Sequence, residues 1–143
     1  YAFGYGWRSF IDYSSKTGTL VAATQLGEVL EVWNVKKNTH KVLKGKLGEP
    51  EFEILPEYAI PSGAVGHNDI QVTDCAIYMI AHQKSKPLPI GGKIVRVFSL
   101  EGEPLKEYKL DHSVSGIWVD ERAGKMWALD VNSDEPLVEY ILK

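Results

Sequence analysis

Cysteine is almost missing from this chain: Cys75 stands alone among 143 residues. One thiol cannot close an internal disulfide, and it cannot build a cysteine-based zinc knuckle, which needs at least two thiolates. It is compatible with cytoplasm or periplasm alike. No apolar run of about 18 residues occurs, so no membrane-spanning helix is encoded. Excess positive charge is also lacking: 16 Lys and Arg stand against 19 Asp and Glu, a formal net charge of −3. Without a basic stripe, nucleic-acid binding has no electrostatic footing. No Gly-x-Ser-x-Gly elbow, H-x-H pair or H-E-x-x-H helix motif is present, so serine hydrolysis and a zincin-type site have no motif behind them. A helical i, i+3, i+4 stripe of useful length is absent as well.

What is present is a globular balance, 44% apolar and 24% charged, in a length able to bury roughly 68–70% of its unfolded surface. Within it a strand pattern occurs three times. First strands read as Phe10–Tyr13, Ile70–Thr73 and Ile117–Asp120. Second strands read as Leu20–Ala23, Ile77–Ile80 and Met126–Leu129. Third strands read as Leu30–Val35, Val95–Leu100 and Leu137–Leu142, and share an aromatic, any residue, then an aliphatic. Repetition on this period marks a β-propeller or a related array. Ser14–Gly18 and Asp120–Gly124 separate strands one and two, each ending on a glycine free to take positive φ. The second strands are apolar on consecutive positions, which predicts burial on both faces, as for an inner strand of a blade sandwiched between neighbours. The fourth strands, His40–Gly45 and Pro104–Leu110, mix lysine with apolar residues, and lysine on an outer strand discourages edge-to-edge pairing.

These units predict an all-β fold: one partial β-propeller domain over residues 1–143, with blades over about 7–48, 67–110 and 111–143. Residues 49–66, with three prolines and two glycines, read as a long ordered loop in which no ladder forms. The third unit stops after its third strand, so the chain carries about three four-stranded blades, half of a six-bladed ring. Closed rings use about four to eight blades. A missing propeller half or a second copy of the chain is therefore expected to complete the ring, with Tyr1–Tyr5 as a source of the outer strand missing from the third blade.

The runs Ser9–Tyr13, Leu20–Thr24 and Gly27–Val32, then Asp69–Asp74 leading to Ile77-Tyr78 and Val97–Gly102, then Val119–Glu121 leading to Lys125–Trp127, resemble blades of the bacterial TolB-like six-bladed propellers. The resemblance covers nearly the whole chain and matches the C-terminal half of such a protein, closest to a subgroup found as lipoproteins of Gram-negative gut anaerobes. It implies an exported protein of the periplasm or cell envelope, with any export signal or lipid anchor upstream of Tyr1. Its motifs are structural and say little about activity.

In a propeller, loops from strand four to the next strand one share a face with loops from strand two to strand three. That face is expected to hold Trp7, Arg8, His67, Asp69, Asp111 and His112 around the channel mouth, the default place for a ligand. Imidazoles and carboxylates there suit a divalent ion or acid–base chemistry; Asp, Asn and Ser before strands equally serve as turn caps, and capping is the preferred reading. Asp130-x-Asn132-x-Asp134 resembles the opening of a calcium loop but lacks its glycine and late glutamate, so it reads as a solvated turn. Trp33, Trp118 and Trp127 read as core, and Trp7 as the aromatic ligand contact. No cofactor and no catalytic residue is expected. The favoured function is a non-catalytic ligand- or protein-binding scaffold. The alternative is a metal-dependent, lactonase-like hydrolase, for which Asp69, Asp111 and Glu28 are the available acidic groups.

Overall fold

A computed structural model of the chain describes residues 7–56, 59–61, 66–81 and 91–143. The Tyr1–Tyr5 segment lies outside the described residues, as does most of the 82–92 loop. Thirteen strands and no helix occur among the described residues. Strands β1 (Ser9–Ser14), β2 (Thr19–Thr24), β3 (Val29–Asn34) and β4 (Thr39–Lys44) form the first antiparallel blade in the order β1-β2-β3-β4. Strands β7 (His67–Val72), β8 (Ala76–Ala81), β9 (Gly92–Ser99) and β10 (Pro104–Val114) form the second, and β11 (Gly116–Asp120), β12 (Lys125–Leu129) and β13 (Leu137–Ile141) the third. Every first, second and third strand falls where the pattern places it, within a few residues at the ends. Gly18 (φ 74°) and Gly124 (φ 65°) take the left-handed conformation in the one-to-two turns.

The first strands stand side by side, with β7 touching β1 on one flank and β11 on the other. This is the radial arrangement of a propeller. Strand β8 shows why its sequence is apolar throughout. Ile77 and Met79 enter a cluster with Val21, Ala23, Leu30 and Val32 of the first blade; Ala76, Tyr78 and Ile80 enter one with Ile117, Val119, Met126 and Ala128 of the third. Side chains alternate across a strand, so one strand feeds two cores, and all six of its residues are buried.

Three expectations need correction. The 49–66 stretch does form a ladder: β5 (Phe52–Ile54) pairs with β6 (Ala59–Pro61). Its Pro61 sits at the terminal position of a two-stranded sheet, where no further partner requires an N–H. Strand four of the second blade does not end at Leu110 but runs as β10 to Val114, where Val114 pairs with Gly92 after a wide irregularity beyond the Lys109–Ile94 pair. Asp111 and His112 therefore lie on strand rather than loop, and Ser115 alone joins β10 to β11. Trp118 is not core: it is 64% exposed and faces away from the second blade; Trp33 and Trp127 are half-buried and belong to neither core cluster.

Candidate functional site

The groups placed at the channel mouth divide into those that hold backbone and those that face solvent. His67 opens β7 and is buried. Its Nδ1 donates to the carbonyl of Thr24 at 2.8 Å, tying the second blade to the end of β2. Burial disfavours the charged ring and lowers its pKa from the ordinary 6.5; the bond to Thr24 acts more weakly in the opposite direction. The unfolded chain then takes up a proton near pH 6.5 that the folded chain refuses. The contribution of His67 to stability is thus complete above that pH and is lost as pH falls below it. His67→Gln is expected to flatten part of the fall in melting temperature between about pH 7.5 and 5.5. Identical slopes in the two proteins would assign that acid sensitivity to other groups.

Asp69 is likewise committed. Its Oδ1 accepts from the N–H of Ile70 at 2.8 Å and its Oδ2 from the N–H of Ile117 at 2.9 Å, across the junction to the third blade. Burial raises its pKa, against the pull of those two bonds. Two further side chains of the inner strands do the same work. Asp12 Oδ2 accepts from Val72 N–H at 2.7 Å. Gln71 accepts from Val119 N–H at 2.6 Å and donates to Val119 O at 3.1 Å. An inner strand is an edge strand, and its outward N–H groups need acceptors; these side chains supply them from the neighbouring blade. Asn68 Nδ2, in the irregularity between His67 and Asp69, is buried with no partner among the described residues.

Asp111 and His112 belong to a separate cluster, where β10 passes the loop between β12 and β13. His112 Nδ1 donates to Asp130 Oδ2 at 2.8 Å, and Asp130 Oδ1 accepts from the backbone N–H of Asn132 at 2.9 Å. These bonds, that from His112 foremost, hold the Asp130 carboxyl below the usual carboxylate range. Tyr140 donates its hydroxyl to Asp111 Oδ1 at 2.8 Å. The same bond lowers the Asp111 pKa, while burial and the carboxylate push the Tyr140 hydroxyl up to about 12. Asp130 and Asn132 thus share a turn that His112 ties to β10, and Asp130 is buried rather than solvated. Trp7 is partly exposed just before β1, its carbonyl accepting from Ser9 Oγ, and the Arg8 carbonyl accepts from Gln25 N–H at 2.9 Å.

Glu28, the remaining acidic candidate, is buried. It pairs with Arg96 and accepts from Leu47 N–H at 3.1 Å. Arg96 also reaches Glu107 at 3.3 Å. The pair sits in a cleft of about 220 Å3 between the first two blades, walled by Leu30, Leu43, Met79 and Phe98. The sequence does not single out Arg96 or Tyr140, because each acts through a partner distant in the chain, and it marks Asp130 only as part of a turn. Among the channel-mouth candidates, His67 and Asp69 bond backbone of neighbouring blades, while Asp111 and His112 bond Tyr140 and Asp130. Among the described residues no group of three or more His, Cys, Asp or Glu is arranged to hold a metal ion.

No helix among the described residues is long and apolar enough to cross a membrane. No curated protein matches the sequence. The TolB-like 6-blade propeller-like family matches residues 2–122, from ahead of β1 to the turn after β11. Three radially placed antiparallel sheets with inner strands in mutual contact agree with it. The chain belongs to the TolB-like six-bladed propeller family.

Proposed function

We propose that this protein is a non-catalytic binding module of the bacterial cell envelope, using the propeller as a scaffold for a ligand- or protein-binding rim. The observation that carries this reading is the commitment of the chemically capable groups. His67, Asp69, Asp12 and Gln71 each bond to backbone of another blade or strand. A general base or metal ligand must present a lone pair to substrate or ion; Asp69 and Asp12 direct carboxylate oxygens at backbone N–H groups, and His67, its Nδ1–H engaged by Thr24, is buried. The rim also carries Trp7, Arg8, Asp111 and His112, with Asp111 bonded to Tyr140 and His112 to Asp130, an aromatic and polar set suited to contact rather than turnover. Membership of the family supports an exported, envelope-associated location, with lipid anchorage as the finer proposal.

Two measurements test it. Calcium, zinc or manganese chloride at millimolar concentration is expected to leave the melting temperature unchanged, since an ion that binds the folded state raises it by mass action. A rise abolished by alanine at Asp111 and His112 would restore the hydrolase alternative. A photo-crosslinking residue at position 112 is expected to capture a partner in cells that produce the protein. The same residue at Arg122, in the one-to-two turn on the opposite face, is expected to capture none; equal capture from both faces would overturn the rim assignment.

A further inference from the structure

The cleft between the first two blades has the make-up of a small-molecule site. Its walls are apolar: Leu30 and Leu43 from the first blade, Met79 and Phe98 from the second. Leu43 and Phe98 are only half-buried, so the cleft opens to solvent. Its polar groups come from both blades and include Glu28, Arg96 and His67. Ligand sites combine such walls with a small number of placed polar groups. Other ion pairs that bridge blades lie in the open: the side chains of Lys16 with Asp74 and of Lys41 with Glu103 are 44–72% exposed. Glu28 differs, with a side chain only 9% exposed. The chain is built around its carboxylate. Leu47 N–H donates to Oε2 at 3.1 Å and Arg96 Nη1 pairs with Oε1, while any side chain at Gly45 would run into it. Burying an ion pair costs desolvation and is a poor source of stability. Here that cost is borne beside apolar walls that stay open.

The charges do not cancel. Arg96 also reaches Glu107 at 3.3 Å, so one guanidinium faces two carboxylates. Lys44, which lines the cleft as well, is paired with Glu49. Across these five groups one negative charge is in excess. His67 adds an acceptor: its Nδ1–H is given to Thr24, so the neutral ring keeps its lone pair on Nε2.

We propose that this cleft binds a small organic cation, a primary amine on an apolar body, with the ammonium set among Glu28, Glu107 and His67 and the body against Leu30, Leu43, Met79 and Phe98. An ammonium supplies three donors and no acceptor, which matches the acceptors and the excess negative charge. A carboxylate ligand would face both glutamates instead. The ring of Phe98 adds to the preference, since an aromatic face attracts a nearby cation. At about 220 Å3 the cleft falls below the roughly 300–1,000 Å3 of drug-sized sites, so the body is limited to about one ring. The site lies between the first two blades, apart from the Asp111 and His112 cluster at the third.

The chain has two methionines, and they report on different junctions. Met79 lines the cleft, while Met126 packs between the second and third blades. In protein labelled at the methionine methyls, phenethylamine is expected to shift the Met79 resonance saturably and to leave Met126 still. Hydrocinnamate, an anion of similar shape, and phenethyl alcohol are expected to bind about ten- to a hundredfold more weakly, the worth of a charge-assisted hydrogen bond. Glu28→Gln keeps the shape and removes the excess charge, so it should erase the preference for the amine over the alcohol. Leu43→Trp, which fills the cleft from the half-buried β4 wall, should abolish the Met79 shift even if Glu28→Gln fails to fold. Glu139→Gln makes the same charge change on the third blade and should alter nothing. Equal binding of amine, acid and alcohol overturns the proposal, as does a Met79 resonance that phenethylamine does not move to saturation. A saturable response at Met126 alone would place the ligand elsewhere and overturn it too. Neither failure touches the rim assignment, which is read by crosslinking at position 112.

Discussion

Alanine at Ile77 and alanine at Ile80 are each expected to lower unfolding stability by about 2–5 kcal/mol, and the double variant to remain unfolded. Both residues are fully buried on the same strand, β8, but they serve different cores. Ile77 packs between the first and second blades, Ile80 between the second and third. With the sheet between them they share few partners, so their losses should add. The sum, about 4–10 kcal/mol, is comparable to the whole stability of an ordinary domain, about 5–15 kcal/mol. Urea unfolding of the single variants checks this through midpoints that fall at unchanged slope. A loss under about 1 kcal/mol at either position would mean that the corresponding blade interface is not packed as described.

The same strand shows what could be read without coordinates. Six consecutive apolar positions have no amphipathic alternation, and that is itself the signal of a strand covered on both sides. The second strands of all three units carried it, but only β8 is buried throughout; β2 and β12 alternate between buried and partly exposed positions. Trp118 shows the limit. Its strand position was plain, but core or surface depends on whether another blade lies beyond the third, which no local pattern encodes. The β5–β6 hairpin was hidden for a related reason: three residue pairs are too few to show alternation, and the surrounding prolines and glycines signal a loop just as strongly.

The rim was legible only in part. His67, Asp69, Asp111 and His112 all have polar side chains with partners, but spacing along the chain could not show that the partners are separate. His67 looks back to Thr24, Asp69 forward to Ile117, and His112 across to Asp130. Turn capping was the preferred reading for these residues. The bonds of His67 and Asp69 are related to capping but act at longer range, with a side chain in one blade satisfying or binding backbone in another. Asp12 and Gln71 do this too, and sat unremarked in the middle of first strands, because an acceptor for the next blade's edge is invisible until the blades stand side by side.

That role gives the second large effect expected here. Gln71→Leu is expected to destabilise the protein by about 2–5 kcal/mol, most of it from the unpaired backbone left behind. Gln71 is buried and bonds both the N–H and the carbonyl of Val119, itself buried. Leucine keeps the volume but leaves both groups without a partner, at about 1–3 kcal/mol each. Asp12→Leu removes one bond, to Val72, in a partly exposed place that water can reach, so its cost should stay near the 0.5–1.5 kcal/mol, roughly, of an ordinary hydrogen bond. Gln71→Glu should fall between the two: a carboxylate still accepts from Val119 N–H but turns an oxygen toward the Val119 carbonyl. Amide hydrogen exchange separates these effects by place. In Gln71→Leu the Val119 amide should lose protection by far more than the Val72 amide, and in Asp12→Leu the order should reverse. Equal loss at both amides in both variants would show global loosening, and the side chains would then not be latches between particular blades.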